Sequence, residues 1–273
     1  MNRNPSTLAP THPRTALITG ASAGIGEAFA EVFAAEGWNL VLVARREDRL
    51  RDVSARLHAQ HGVRADVIVA DLSDVSAAGR VAADVAARGL QVDALVNNAG
   101  YGVPGAYLAS SWPRHAAMLQ VMVNGLAELT YLLLPSMLER GYGRIINVAS
   151  LAGLVPSPGG HTLYAATKAF LIKFSEALGH EVRDRGVHVT ALCPGFTYSE
   201  FHDVTGTREQ MKSLPPWMWM DSPTVARQGF DAVMAGEPLY INGRVNRTIA
   251  TLVTFAPTWL IRAVERRLGH RKL

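Results

Sequence analysis

From Thr15 onward, short apolar runs rich in Val, Leu and Ile alternate with longer segments whose apolar residues recur at helical spacing. That alternation is the pattern of βαβ units, in which each helix carries the chain back to begin a strand parallel to the last. The strand candidates are Thr15–Thr19, Asn39–Ala44, Asp66–Ala70, Ala94–Asn97, Arg144–Val148, His188–Cys193 and Leu239–Ile241. Most are continuous apolar runs, as a sheet covered on both faces requires. Helices are expected near Ile25–Glu36, Glu47–His61, Ser73–Ala87, Ser111–Arg140, Thr162–Asp184 and Ser222–Met234. The fold class is therefore α/β, a doubly wound parallel sheet of about seven strands with helices on both faces and ligands outside the carboxyl ends of the strands.

Of the 273 residues, 48% are hydrophobic and 18% charged, which is ample for a core and argues against disorder over most of the length. One compact domain is expected over residues 15–248, with no internal repeat and no linker. Residues 1–14, with three Pro, read as a flexible tail without the apolar stretch of a signal peptide, which points to a cytoplasmic protein. The net charge of +4 and pI ≈ 9.4 come from scattered Arg residues and not from a block of like charges, so a nucleic-acid partner is not expected. The one Cys, Cys193, reads as a buried strand-end residue, and the nine His show no metal-ligating spacing, so no metal is expected.

Directly after the first strand candidate comes Thr19-Gly20-Ala21-Ser22-Ala23-Gly24-Ile25-Gly26, opening the first helix. Glycines permit a tight turn and let backbone approach a pyrophosphate, whose charge a helix N-terminus favours, so the loop reads as a Rossmann-type dinucleotide site. Cofactor choice is set after the second strand, where an acid would accept from ribose hydroxyls and an Arg would pair with a 2′-phosphate. The sequence there is Val43-Ala44-Arg45-Arg46, which favours NADP(H) and leaves NAD(H) open. The competing reading is that Arg45 and Arg46 are solvated residues opening the next helix, partly neutralised by Glu47 and Asp48.

Tyr164 and Lys168 are four residues apart, fourteen residues after Ser150. On a helix that spacing puts phenol and ammonium on one face. Bringing a phenol from its usual ~10 to about 7 takes ~4 kcal/mol, which one cation at ~4 Å supplies at an effective dielectric of about 20. The pair alone is a common coincidence, so its weight comes from the other motifs.

In the spacing Gly-x-x-x-Gly-x-Gly, the chain resembles the short-chain dehydrogenase/reductase family, in its smaller single-domain branch. The resemblance continues in order through Asp71-Leu72, Asn97-Asn98-Ala99-Gly100, Asn124, Ser150, Tyr164-x-x-x-Lys168 and Pro194-Gly195. It implies that Tyr164 is the general acid or base, and that Lys168 lowers its pKa and binds the nicotinamide ribose. Ser150 would hold the substrate oxygen, and Asn124, on the long fourth helix, would hold a water linked to Lys168. The implied cofactor-binding set is Gly20, Ser22, Gly24, Ile25, Gly26, Arg45, Arg46, Asp71, Leu72, Asn98, Ala99, Gly100, Tyr164, Lys168, Pro194, Gly195 and Thr197. Asp71 would contact the adenine amino group; its plain alternative is a helix cap before Ser73. The Ser150-to-Tyr164 interval is one residue longer than is usual in the family. The extra residue is expected in Pro158-Gly159-Gly160-His161, leaving His161 either at the pocket or in an exposed loop.

The family forms a substrate flap after Pro194-Gly195, here residues 196–221, which include Phe201, Met211 and Pro215-Pro216-Trp217-Met218-Trp219-Met220. Its aromatic and Met side chains suit a hydrophobic carbonyl or alcohol substrate, or else an oligomer interface or packing beneath the flap. In the terminal extension, residues 249–273, the uncharged stretch from Ile249 to Ile261 is too short and too broken by Pro257 to span a bilayer. Packing against the subunit or a symmetry mate is favoured there over contact with a membrane surface. The resemblance implies a homodimer or homotetramer built through the long helices carrying Asn124 and Tyr164. The expected activity is NADP(H)-dependent interconversion of a secondary alcohol and a carbonyl. The rivals are a non-catalytic dinucleotide sensor or scaffold and a membrane-peripheral reductase of lipid-derived carbonyls.

Overall fold

The structure, a computed structural model, describes residues 13–157, 159–200, 215–257 and 259. Seven strands, β1 (Thr15–Thr19), β2 (Asn39–Ala44), β3 (Ala65–Val69), β4 (Ala94–Asn97), β5 (Gly143–Val148), β6 (Val187–Cys193) and β9 (Leu239–Ile241), form one sheet in the order β3-β2-β1-β4-β5-β6-β9. Every pairing is parallel. Leu17 pairs with Val41 on one side and Leu95 on the other, so the winding reverses at β1, and a crevice opens there at the carboxyl ends of β1 and β4.

Helices α1 (Gly24–Ala35), α2 (Glu47–His61), α3 (Ala77–Ala87), α4 (Trp112–Leu119), α5 (Gly125–Arg140), α6 (Thr162–Val182), α7 (Ser222–Ala235) and α8 (Arg244–Phe255) complete the described fold. Phe29 and Phe33, one turn apart on α1, are fully buried, and Phe33 meets Phe230 of α7 edge-on at 5.0 Å. A second core on the opposite face joins Leu17 and Val41 to Val81 and Val85 of α3 and to Leu129 and Met137 of α5. Both faces are therefore covered, and the strands are mostly apolar, as expected.

Several boundaries differ from the sequence reading. α3 begins at Ala77 and not Ser73, because Asp71 and Asp74 accept from the backbone N–H groups of Ser73 and Ser76, each at 2.9 Å, and these local bonds hold the chain in turns. The strand expected at Asp66–Ala70 lies one residue earlier. The long helix is continuous but contains a π turn at Gln120–Asn124, which rotates the residues around it. The run Trp112–Arg140 has 29 residues, and its most apolar 18-residue window has a mean hydropathy of 1.4, enough to cross a membrane by length and composition, yet half of that window is buried in this fold. Two short parallel strands, β7 (Phe196–Tyr198) and β8 (Trp219–Asp221), form a separate ladder that the sequence reading did not contain.

The expected tail lies mostly outside the described residues, and its end, Arg14, stacks over Tyr142 at 3.9 Å. Phe201 and Met211 of the flap, and Ile261 in the extension, also lie outside them.

Candidate active site

A cleft of about 690 Å³ runs over the carboxyl ends of β1, β2, β4 and β5. Its floor is the glycine loop. Gly20 and Gly24 have φ of +68° and +58°, which other residues rarely adopt. A Cβ on Gly26 would lie 2.2 Å from the Gly20 carbonyl oxygen, so the loop can close onto α1 only with glycine there. The backbone cradle at this helix N-terminus fits the pyrophosphate of a dinucleotide.

Sequence reasoning missed the residue that anchors the loop. The Thr19 hydroxyl donates to the Val96 carbonyl at 3.1 Å and accepts from the backbone N–H groups of Asn98 and Ala99 at 3.0 and 3.1 Å. The Asn98 side chain donates to the Thr19 carbonyl at 3.0 Å, so β1 and β4 are tied across the winding reversal. A Thr ending a strand carries no motif of its own.

At the outer end, Arg45 and Arg46 line the cleft, but both are already matched. Arg46 reaches the Glu200 carboxylate at 2.9 Å and donates to the Ser22 hydroxyl at 3.2 Å. Arg45 lies 3.8 Å from Asp71. Ser73 hydrogen bonding and Arg45 hold Asp71 below the usual carboxylate range against the opposing pull of desolvation, the largest single influence. Asp71 lines the cleft and holds a turn at Ser73, but it is not the helix cap considered for it, since the helix begins only at Ala77. Leu72, Gly100, Pro194, Gly195 and Thr197 line the same wall or its rim.

At the inner end Ser150 follows β5, while Tyr164 and Lys168 sit one turn apart on α6. Tyr164 is hydrogen bonded to Ser150, so the longer interval leaves the two side chains together. Between them, Gly160 has φ of +92°. Burial pushes the Tyr164 phenol up to about 12, and the bond to Ser150 opposes this. Lys168 is buried, its ammonium donates to the Val148 carbonyl at 2.7 Å, and desolvation brings it down to about 8.

The Lys168 Nζ lies 5.6 Å from the centre of the Tyr164 ring. With protein groups alone, desolvation outweighs the Ser150 hydrogen bond, and Lys168 is not among the groups that shift the phenol.

Asn124 departs from expectation. Its side chain is exposed, donates to Gln120 Oε1 at 3.1 Å one turn back, and does not line the cleft. The π turn sets this phase: Val121 is the residue of that turn that reaches the cleft, and Met122 is buried under Gly100. The buried polar link across this region runs elsewhere. Asn97 donates to Thr130 and to Asn147 at 3.0 and 2.8 Å, and Asn147 donates to Ser175 at 2.8 Å, joining β4, β5, α5 and α6 beneath the reacting side chains. His161 lines the cleft half-buried, its ring 6.5 Å from that of Tyr164 at 67°. Desolvation lowers its pKa, so its neutral form faces the site.

A glycine loop at the winding reversal, with Ser, Tyr and Lys side chains further along the same cleft, defines an oxidoreductase of the nicotinamide-dinucleotide class. The chain belongs to the short-chain dehydrogenase family, whose sequence profile matches residues 14–210. It is 37% identical over 187 residues to sulfoacetaldehyde reductase 2 of Chromohalobacter salexigens, covering 68% of this chain and 73% of that one. Its fold matches a short-chain dehydrogenase from Sphingobium yanoikuyae in complex with NADPH, with TM-score 0.79, 28% identity and 95% and 96% of the two chains covered. It also matches a short-chain dehydrogenase/reductase from Burkholderia phymatum in complex with NAD, with TM-score 0.78, 28% identity and 90% and 94% covered.

Proposed function

We propose that the protein is an NADP(H)-dependent oxidoreductase that interconverts a secondary alcohol and a ketone or aldehyde on a hydrophobic substrate. The observation that carries this reading is that one cleft has the Ser150–Tyr164 hydrogen bond and buried Lys168 at its inner end and two arginines at its outer end. The nicotinamide, when bound, supplies or accepts the hydride. Ser150 holds the substrate oxygen as charge develops there, and Tyr164 gives that oxygen its proton or takes it back. A phenol whose pKa lies well above neutral carries its proton at neutral pH, as the reducing direction needs. Lys168 provides positive charge beside the phenol. Asn124 has no part in this scheme, because its side chain lies away from the cleft.

The preference for NADP(H) rests on Arg45 and Arg46 with no acid between Ala44 and Glu47. The hydrophobic substrate rests on Leu151, Val155, Pro156 and Phe196 along the inner wall and on the aromatic β7–β8 ladder, where Tyr198 stacks on Trp219 at 4.7 Å. We take the protein to be cytoplasmic and to assemble as a homodimer or homotetramer through α5 and α6.

The test follows nicotinamide absorbance with a panel of hydrophobic ketones and alcohols for the native chain and Tyr164→Phe. Native turnover is expected, with kcat/KM about 10²- to 10⁴-fold lower in the variant at unchanged cofactor affinity. Tight cofactor binding without turnover of any substrate would favour the sensor reading.

A further inference from the structure

α8 starts at the carboxyl edge of the sheet, beside the cleft. Asn246 on its inner face packs so closely on Gly195 that a Cβ there would lie 2.4 Å from the Asn246 amide nitrogen. Asn246 and Ala250 are buried, and the Asn246 amide donates to the Asn242 carbonyl at 2.7 Å. The inner face thus packs against the subunit, as the sequence reading favoured.

The outer face has no such cover. Leu252 and Phe255 are 66% and 81% exposed, and Trp259, just beyond the helix, is 69% exposed. Helical spacing puts Val245 and Leu252 in one row and Thr248 and Phe255 in the next. Arg244 and Arg247 flank this stripe, and an open hollow of about 370 Å³ lies between them and Leu252. The sequence here is one-sided in charge: from Arg244 to Lys272 it carries seven Arg or Lys residues against the single acid Glu265.

We propose that the outer face of α8 docks the protein on an anionic lipid surface, with Leu252, Phe255 and Trp259 inserted at the headgroup boundary and Arg244 and Arg247 paired with lipid phosphates. A short amphipathic helix with basic flanks and aromatic or Leu side chains between them suits the plane of that interface. An acidic protein groove would match the charge but gives no use for an aromatic row open to solvent beside the cleft. Docking here would bring the cleft to the place where hydrophobic carbonyls accumulate, and to that extent the proposal deepens the substrate reading above. Binding itself is measured without substrate, so either idea can fail alone.

The experiment is co-sedimentation of the full chain with vesicles of phosphatidylcholine alone and of phosphatidylcholine with phosphatidylglycerol, at low and high salt. Light scattering reports subunit mass in the same samples. Native protein is expected on the anionic vesicles only, with binding weakened by salt. Leu252→Ser/Phe255→Ser should lower partitioning roughly 10-fold or more, since burying one such side chain gives that factor. Turnover of a water-soluble ketone should be unchanged in this variant, whose substituted positions are exposed. No native binding at low salt, or binding that survives the double substitution, overturns the proposal. A fall in the assembly's mass in the variant, in place of lost vesicle binding, identifies a second copy of the chain as the occupant and overturns the proposal.

Discussion

Lys168 shows at a single residue how function and stability pull apart. Its ammonium is buried, with its folded pKa depressed from 10.5 to about 8. The folded chain therefore holds that proton less tightly than the unfolded chain, and the penalty is full below about pH 8 and fades as pH rises toward 10.5. The shift corresponds to about 3 kcal/mol, less about 1 kcal/mol for the hydrogen bond to Val148. Lys168→Met should thus be more stable than the native protein by about 2 kcal/mol at pH 7, and the advantage should disappear by about pH 10.5 in urea titrations while turnover is lost. Glu200 is the second informative residue, because its carboxylate sits on the arginine that a 2′-phosphate would need. The pair is partly solvated, which limits its strength. Glu200→Gln should tighten NADPH binding about two- to five-fold and leave NADH unchanged, whereas Arg46→Ala should weaken NADPH alone; fluorescence titration reads both.

Among the elements, the glycine loop was the most legible, because a backbone that must turn tightly against a helix start can be written in few ways. Gly26→Ala would drive a methyl group into the Gly20 carbonyl. Overpacking of this kind costs about 1–3 kcal/mol, so Tm should fall by about 2–8 °C and dinucleotide affinity at least 10-fold, as calorimetry and titration would show. Asn124 was misread for a physical reason. The resemblance aims it at a water beside Lys168, but a π turn at Gln120–Asn124 shifts the helical phase and leaves that side chain exposed. The Asp71 and Asp74 turns that delay α3 are a second departure from a regular period, set there by local side-chain bonds.

For the molecule as a whole, α5 and α6 present apolar side chains to solvent in the single chain. Tyr131 is 76% exposed, and Phe170 stacks on Phe174 at 5.7 Å on the surface of α6. If these helices form the subunit interface, light scattering on native protein should give a multiple of 29.5 kDa, and Tyr131→Glu with Phe170→Glu should return the mass to one chain. The seven strands of the main sheet and the helices between them, the glycine loop, the arginines after β2 and the Ser, Tyr and Lys series could all be read from the sequence. They depend on short-range spacing and on hydrophobic period, which the chain carries in one dimension. Tertiary structure decided what depends on contact between distant segments: Thr19 tying β1 to β4, Glu200 lying on Arg46, and the Ser150–Tyr164 bond surviving a longer loop. It also set the protonation of the site, since the sequence contains the charges of Tyr164 and Lys168 but not the desolvation that moves them.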